Sequence, residues 1–468
     1  MTARLGTAER PLRVAIVGAG PAGYYAADHL LRQDDLVVEV DVFDRLPTPY
    51  GLVRAGVAPD HQKIKAVTVA FDKVASHPRF RFYGCVELGK ELTLDDLRHL
   101  YHQVLYSTGA QTDRRMGIPG EDLQGSHPAT EFVAWYNGHP DYRDLTFDLD
   151  QERAAIVGVG NVAIDVARIL SRTPEELATT DIADHALEAL RASRVREIYL
   201  LGRRGPAQAA FTNPELKELG ELAGADVVVR PDEVELDELS RAALERSGDR
   251  AERKKVEILQ EYAARPPAGK PRRLILRFLV SPVEVLGDAA GHVAGLRLVR
   301  NRLVATETGS LQARSTGVVE TLPVGLVFRS VGYRGVPLPG VPFNDAWGVI
   351  LNEKGRVLDA DTKRPRTGEY TAGWIKRGPT GVIGTNKPDA AETVACMVED
   401  AAAGRVLSPP EPTAEAADRL VRSRQPRCVS YADWKRLDAL ETRRGSAGGR
   451  PRVKFTRLED MYAALGRE

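Results

Sequence analysis

The feature that most constrains this chain is a strand followed by a glycine turn, which occurs twice. Residues 13–17 (RVAIV) lead into residues 18–23 (GAGPAG), and residues 153–157 (RAAIV) lead into residues 158–163 (GVGNVA). After each turn, apolar residues recur with helical spacing, and a second β-rich run follows. The repetition predicts two βαβ units, related as an internal duplication, within an α/β fold.

The first turn has the spacing G-x-G-x-x-G through Gly18, Gly20 and Gly23. The first glycine permits a tight turn, the second lets the backbone approach a pyrophosphate, and the third lets the helix pack against the strand. The helix N-terminus then offers free N–H groups to the phosphates. Asp44 closes the second strand about 20 residues beyond the turn, where a carboxylate can accept bonds from ribose hydroxyls. These features predict a dinucleotide site.

The second turn has Gly158 and Gly160, with Ala163 in the third place. Its second strand ends in Arg203 and Arg204 rather than in an acid. A carboxylate there would repel a 2′-phosphate, whereas guanidinium groups bind one with bidentate, charge-assisted bonds. We therefore expect NADP, not NAD, at the second site, and a flavin dinucleotide at the first.

Composition narrows the function classes. The chain of 468 residues is long enough for two or three domains, and 65 basic residues balance 65 acidic ones, so no general attraction to nucleic acid is expected. Cys85, Cys396 and Cys428 are far apart. This spacing excludes a tetrathiolate zinc site, a four-cysteine iron–sulfur cluster and a local redox dithiol, and no metal site is expected. Electrons on a flavin would have to leave through an external carrier.

Two further expectations concern location. Residues 1–10 are polar and lack the apolar core of a secretory signal, and no uninterrupted apolar run reaches the roughly 20 residues of a membrane span. The small number of thiols fits a reducing compartment. We expect a cytoplasmic protein without a membrane span.

Several further segments resemble the adrenodoxin reductase family, which includes bacterial ferredoxin–NADP reductases. They are residues 47–65 (PTPYGLVRAGVAPDHQKIK), 109–114 with 118–122, 160–165, 202–206 with 211–219, and 372–386 (AGWIKRGPTGVIGTN). The match runs in order from about residue 12 to about residue 405, a span too long for coincidence.

The resemblance implies two Rossmann-like dinucleotide-binding domains, with the NADP domain inserted into the FAD domain. We expect the first part of the FAD domain at residues 1–110 and the NADP domain at 111–324. The second part of the FAD domain is expected at 325–405, and residues 406–468 are expected to form a C-terminal extension with some helix.

The resemblance also implies the binding residues. Beyond the glycines of the first turn, those for FAD are Ala22, Asp44, Leu52, Val86, Trp374, Gly381, Val382 and Ile383. Those for NADP are Arg114, Gly160, Asn161, Val162, Ala163, Arg203, Arg204, Glu215 and Gly381. His61 and Glu218 resemble a catalytic pair near the nicotinamide, where imidazole could move a proton or hold the carboxamide.

Two positions depart from common patterns. Trp374 stands where many enzymes of this fold carry an aspartate near the flavin, a change that the family shares, and Asp44 stands where relatives often carry glutamate. The reaction implied is hydride transfer from NADPH to FAD, then one-electron transfer to a ferredoxin-type iron–sulfur protein. One further hypothesis places carrier docking on a basic cluster of Arg250, Arg253, Lys254, Lys255, Lys270, Arg272 and Arg273.

Two alternative functions stay open at this point. The chain could be an NADPH-dependent flavin oxidoreductase that acts on quinones, dyes or another carrier. It could also be an electron-transfer subunit that binds FAD and NADP without turnover. A disulfide reductase is disfavoured by the cysteine count, and a monooxygenase by the family segments.

Overall fold

The computed structural model describes residues 4–467, and these form two compact units. The first unit comprises residues 4–57, 61–112 and 332–467, and the second comprises residues 58–60 and 113–331. The second unit is thus an insertion into the first. The expectation that residues 1–10 carry no signal segment falls partly on residues 1–3, which lie outside the described part of the chain.

The first unit begins with a βαβ unit and ends in helices. Its elements, in chain order, are β1 (Leu12–Val17), α1 (Pro21–Leu31), β2 (Val38–Asp44), α2 (Leu52–Ala55), α3 (Gln62–Lys65), α4 (Thr68–Ala75), β3 (Phe80–Gly84), α5 (Leu94–Leu100) and β4 (Gln103–Tyr106), then, after the insertion, β15 (Tyr333–Arg334), β16 (Phe343–Asn344), β17 (Val349–Ile350), β18 (Asn352–Glu353), β19 (Arg356–Leu358), β20 (Pro365–Thr371), α14 (Trp374–Arg377), α15 (Asn386–Ala402), α16 (Ala414–Arg424), β21 (Val429–Ser430), α17 (Tyr431–Ala447) and α18 (Leu458–Ala464).

Among the described residues, the main sheet of the first unit has the strand order β18-β19-β20-β4-β1-β2-β3-β21. Strands β3, β2, β1 and β4 are parallel neighbours in that order, which is the arrangement typical of a dinucleotide-binding half. All six residues of β1 are buried, because both faces of a central parallel strand are covered.

The second unit is made of the inserted residues. Its elements are β6 (Ser126–Pro128), α6 (Ala129–Tyr136), β7 (Arg153–Val157), α7 (Asn161–Ser171), α8 (Pro174–Ala178), α9 (Asp184–Arg191), β8 (Glu197–Leu201), α10 (Asn213–Leu219), β9 (Ala225–Val229), α11 (Pro231–Val234), α12 (Glu238–Ser247), α13 (Arg250–Ala264), β10 (Arg272–Arg277), β11 (Val280–Gly287), β12 (Val293–Ala305), β13 (Leu311–Leu322) and β14 (Leu326–Arg329). The two-residue strand β5 (Thr112–Asp113) lies where the chain passes between the units.

In the described part of the second unit, a parallel sheet has the order β6-β14-β7-β8-β10-β9. Strands β11, β12 and β13 form a separate antiparallel sheet. Helix α7 buries an apolar face that includes Ile164, Val166 and Ile169 against the core of this unit. The expected fold class, α/β with one Rossmann-like domain inserted into another, is confirmed.

Two stretches lie differently from the expectation. Strand β14 lies within residues 325–405, which are expected to belong to the FAD domain, but it pairs with β7 and β6, and the chain returns to the first unit at Gly332. Residues 406–467, expected to form a C-terminal extension, contribute Trp434, Leu437 and Met461 to the main core cluster of the first unit. Within the described residues, no helix combines the length and the apolar character that crossing a membrane requires.

Candidate dinucleotide-binding sites

The first glycine turn lies where the strand order reverses, between β1 and its neighbours β2 and β4. Gly18 has φ of 106°, and a Cβ there would lie 2.6 Å from the carbonyl oxygen of Ser107, at the end of β4. A Cβ on Gly23 would lie 2.4 Å from the oxygen of Gly18. Both glycines are therefore required by the protein's own packing.

Gly20 differs from its neighbours. Its φ of −84° suits any residue, and no heavy atom lies within 4 Å of the place where its Cβ would be. It stands at the N-cap of α1, and no side chain of the N-cap residue accepts the first N–H groups of that helix. Protein packing does not require a glycine here, so the open space fits a pyrophosphate that approaches the backbone.

The carboxylate of Asp44 supports this turn directly. One oxygen accepts the N–H of Ala19 at 2.8 Å and the other accepts the N–H of Leu46 at 2.9 Å. Burial raises the pKa of Asp44, and the two backbone donors only partly offset that effect. A carboxylate has about four acceptor positions, so Asp44 keeps the capacity to accept ribose hydroxyls. Val86 donates its N–H to the Asp44 carbonyl oxygen at 2.9 Å, which places it beside the same strand end.

Trp374 begins α14, and Gly373 before it packs against the first turn of α1. A Cβ on Gly373 would lie 2.6 Å from the Cβ of Ala22. The indole Nε1 of Trp374 donates to the carbonyl oxygen of Thr380 at 3.2 Å, next to Gly381. Val382 is 54% exposed, Ile383 opens a short 3-10 turn, and Leu52 is 37% exposed at the start of α2. Apolar side chains are thus left accessible on the first unit.

The second glycine turn repeats the geometry of the first. Gly158 follows β7 with φ of 137°, and a Cβ there would lie 2.1 Å from the oxygen of Ser330, at the end of β14. Gly160 has φ of −100° and open space where its Cβ would be. Ala163 is fully buried, so the third position packs as in the first turn.

The two residues after Gly160 make different contacts within the second unit. Val162 is half-buried and packs against the core cluster of the second unit. The side-chain oxygen of Asn161 accepts the N–H of Thr212 at 2.9 Å, which ties the turn to the approach to α10.

Arg203 and Arg204 follow Gly202 at the end of β8. In the part of the chain that the structure describes, neither guanidinium forms an ion pair with a carboxylate. Burial lowers the pKa of Arg204, and the neighbouring charge of Arg203 lowers it further. Two uncompensated positive charges beside an open helix N-terminus favour the binding of an anion.

Glu215 and Glu218 lie on α10 beside a buried cation that the sequence reasoning missed. Arg168 is fully buried on α7 and donates to Glu215 at 3.1 Å and to Asp60 at 2.6 Å. Its guanidinium lies 3.9 Å from Glu218, which is 39% exposed. An arginine inside the apolar run of α7 was the available signal for such a cluster, because a buried charge requires partners.

Two further predicted residues, Arg114 and His61, belong to different units. Arg114 is exposed and belongs to the second unit, and His61 is half-buried at the N-cap of α3 in the first. The NADP contact of Arg114 and the catalytic role of His61 stay predictions.

The basic cluster proposed for docking is not a free basic surface. Lys255 and Arg272 are buried, Lys254 pairs with Glu257 at 2.9 Å, and Arg273 pairs with Glu197. The sequence placed these residues together, but strand and helix geometry turns two of them inward. Lys255 and Arg272 are therefore removed from the docking hypothesis, and docking on the remaining residues of the cluster stays a prediction.

The cysteines are all buried. Burial raises the pKa of Cys85 to about 11 and that of Cys428 to about 12, so both thiols are protonated at neutral pH. A thiol in that state is a poor nucleophile, which agrees with the expectation that electrons do not leave through cysteine.

Sequence reasoning also passed over residues that shape the first turn. Ser107 donates its hydroxyl to the oxygen of Gly18 at 2.9 Å, and Asp389 accepts the N–H of Gly373 at 2.5 Å. Position gave a partial signal for Ser107, because it closes a strand beside the glycine turn. Asp389 has no comparable signal.

Two sheets whose central strands are parallel, each with a glycine turn at its switch point, define the class of flavin- and pyridine-nucleotide-dependent oxidoreductases. The pyridine nucleotide-disulphide oxidoreductase family matches residues 12–200. A probable ferredoxin/ferredoxin–NADP reductase of Mycobacterium bovis is 50% identical, over 97% of this chain and 76% of that protein. The mitochondrial NADPH:adrenodoxin oxidoreductase of Arabidopsis thaliana is 43% identical, over 97% of this chain and 95% of that protein.

The solved structure of Mycobacterium tuberculosis FprA in complex with NADPH superimposes with a TM-score of 0.91 at 45% identity, over 97% of this chain and all of that one. The chain belongs to the adrenodoxin reductase family of NADPH–ferredoxin reductases.

Proposed function

We propose that this protein is an FAD-dependent oxidoreductase that takes hydride from NADPH and passes single electrons to a ferredoxin-type iron–sulfur protein. The observation that carries the proposal is the contrast between the two turns. Asp44 closes the strand beside the open space at Gly20, while Arg203 and Arg204 close the strand beside the open space at Gly160. A carboxylate suits a ribose with free hydroxyls, and paired guanidinium groups suit a 2′-phosphate.

FAD, when bound, supplies the conversion between two-electron hydride chemistry and one-electron transfer. The residues present fit it in the first unit. The N-terminus of α1 would hold the pyrophosphate beside Gly20, and Asp44 would hold the ribose. Leu52, Val86, Trp374, Gly381, Val382 and Ile383 are proposed as its further contacts.

NADPH is proposed to bind the second unit. Gly160, Asn161, Val162 and Ala163 would receive its pyrophosphate, and Arg203 and Arg204 its 2′-phosphate. Arg114, Glu215 and Gly381 are proposed as further contacts. Glu215 forms an ion pair with Arg168 at 3.1 Å, so its carboxylate is held in a fixed position from which it would contact the nucleotide.

His61 and Glu218 are proposed to serve the nicotinamide. A neutral imidazole has one nitrogen that donates and one that accepts, so His61 can hold the carboxamide or pass a proton there. In stopped-flow experiments, His61→Gln should slow flavin reduction by NADPH, because orientation and proton position set that rate. Unchanged flavin reduction together with unchanged NADPH affinity would remove His61 from the site.

The relatives support an iron–sulfur carrier as electron acceptor, since their names are those of ferredoxin and adrenodoxin reductases. Which carrier serves this chain is part of the proposal, as is a cytoplasmic location. Acceptance of quinones or dyes would be a secondary activity of the same flavin.

One experiment tests the main proposal. The purified protein should be yellow, should bleach anaerobically with NADPH much faster than with NADH, and should reduce cytochrome c in a ferredoxin-dependent manner. A colourless protein, or a yellow one that NADPH does not bleach, would contradict it. Bleaching without any ferredoxin-dependent turnover would favour the quinone or dye reductase, and bleaching with no turnover of any acceptor would favour the electron-transfer subunit.

A further inference from the structure

Glu441 is a carboxylate with no exposed surface on helix α17, which also buries Trp434 and Leu437. Arg54 donates to both of its oxygens, at 2.8 Å and 2.6 Å, and Phe455 donates its backbone N–H at 2.8 Å. Burial alone would raise the pKa of Glu441, but the charge and hydrogen bonds of Arg54, together with the charge of Arg452 and the N–H of Phe455, outweigh it and the pKa is lowered. Glu441 is therefore a buried anion whose main counter-charge comes from α2.

Trp434, also on α17, makes a second contact with the short helix α2. Its side chain is 1% exposed, and the guanidinium of Arg54 lies 5.0 Å from the centre of its ring. The indole Nε1 donates to the hydroxyl of Tyr50 at 3.4 Å, and the two rings meet edge-on at 5.9 Å. Helix α17 thus contacts both Tyr50 and Arg54, which flank the start of α2.

The stretch between those two residues touches the first glycine turn. Tyr50 donates its N–H to the carbonyl oxygen of Ala19 at 2.8 Å, and a Cβ on Gly51 would lie 3.0 Å from the Cα of Gly20. Tyr50 and Gly51 have φ of 84° and 50°. A tyrosine rarely adopts a positive φ, so this conformation has to be held by its surroundings. We call residues 50–52 the Tyr50 turn.

We propose that α17 is a positioning element for the flavin. Glu441 and Trp434 fix Arg54 and Tyr50, and these hold the Tyr50 turn against Gly20 and present Leu52 at the start of α2. The inference rests on the proposed binding of FAD at the first glycine turn. It assigns a role to the last part of the chain, for which the sequence offered none.

The test uses the full-length flavoprotein with Glu441→Gln and Trp434→Phe. The first keeps the shape of the side chain but removes the charge that Arg54 requires, and the second keeps an aromatic ring but loses the bond to Tyr50. Glu459→Gln is the matched control, because it removes the same charge from an exposed position on α18.

We expect the dissociation constant of FAD to rise about ten-fold or more in both variants, which is the usual effect of losing a bond to a charged or positioned group. The visible spectrum of the bound flavin should shift as well. The affinity of the second unit for 2′,5′-ADP should stay at the wild-type value, and so should every property of the control. These readouts separate positioning from general destabilisation, which would lower the melting temperature without changing FAD affinity.

The inference is overturned if both variants bind FAD within about two-fold of the control, the spread of neutral surface changes. If Glu441→Gln does not fold, Trp434→Phe decides alone by the same threshold. The double variant Arg54→Gln/Glu441→Gln is compared with its two single variants. Its affinity for FAD should be no lower than that of the weaker single variant, because the two residues act as one unit. Additive losses of affinity would contradict this. A wild-type protein without FAD would instead contradict the proposed function.

Discussion

Arg203 and Arg204 place two guanidinium groups side by side, and among the described residues no carboxylate neutralises either of them. Elsewhere in the second unit the pattern is different, since the buried Arg168 has Asp60, Asp165 and Glu215 as partners. The lowered pKa of Arg204, caused first by burial and then by Arg203, is relieved when an anion binds. At the scale of single residues, this unsatisfied charge is the strongest sign of a phosphate ligand.

Removing either charge should lower the preference for NADPH. We expect Arg203→Gln and Arg204→Gln each to raise KM for NADPH by about ten-fold to a hundred-fold, the range for a lost bond to a charged group. KM for NADH should stay unchanged, because NADH lacks the 2′-phosphate. The measurement is steady-state reduction of an artificial acceptor with each nucleotide.

The control for that prediction is Arg194→Gln, an exposed arginine of the second unit. It should change neither KM. Equal increases for NADPH and NADH in the variants of Arg203 and Arg204 would show that these residues act on the fold and not on the phosphate.

Local pattern was sufficient to place Asp44 at the end of β2 and Arg203 and Arg204 just after β8, because the βαβ pattern determines where those strands end. Their binding role stays a prediction. Glu441 and Arg54 could not be paired in the same way, because they are far apart in sequence and nothing local marks the contact. The prediction of one basic docking surface did not hold for Lys255 and Arg272, because residues that are near in sequence do not all face the same side of the protein.

At the scale of elements, the first and second glycines of each turn have different roles, and the difference is the same in both turns. Gly18 and Gly158 have positive φ and approach the carbonyl of a neighbouring strand end, whereas Gly20 and Gly160 face open space. The first kind serves the fold and the second kind leaves room for a ligand.

This division predicts opposite results for two alanine variants of the first turn. Gly20→Ala should leave the melting temperature of the flavin-free protein unchanged but prevent FAD binding, because the new Cβ fills the ligand's space. Gly18→Ala should destabilise even the flavin-free protein by about 1–3 kcal/mol, since its Cβ meets the Ser107 carbonyl at a strained φ. Calorimetry and flavin retention measure the two effects.

The second turn provides the matched comparison. Gly160→Ala should keep the bound flavin and the melting temperature while abolishing binding of NADPH. Normal NADPH binding by Gly160→Ala, or FAD binding by Gly20→Ala, would contradict the assignment of these open spaces to ligands.

At the scale of the whole chain, the presence of two βαβ units was predictable, whereas the ends of the two compact units were not. The repeated strand and turn motif determines which strands lie at the centre of each sheet. Strand β14 pairs with β7 at a distance in sequence, which a local apolar run cannot reveal. Helix α17 buries Trp434, Leu437, Glu441 and Gly445, and because two of these are not apolar side chains the burial leaves only a weak apolar periodicity in the sequence.

One buried histidine in the first unit and two half-buried histidines in the second give each unit a dependence on pH. His102 in the first unit is 3% exposed, and its Nδ1 accepts the N–H of Arg13 at 3.0 Å, so the ring is neutral. Burial, with Arg10 and Arg13, lowers the pKa of His102 to about 4. Burial likewise lowers the pKa of His127 and of His185, both in the second unit, to about 4.

Since the ordinary pKa of histidine is about 6.5, the unfolded chain binds protons between pH 6.5 and 4 that the folded protein does not. The free energy of unfolding should therefore fall as the pH drops through that window, by about 1.4 kcal/mol per pH unit for each histidine. His102→Asn keeps an acceptor that does not titrate, so its stability should fall less steeply over this range. Urea unfolding at several pH values measures the slope, with the exposed His99→Asn as control. An identical slope in wild type and His102→Asn would show that His102 is protonated without cost in the folded state.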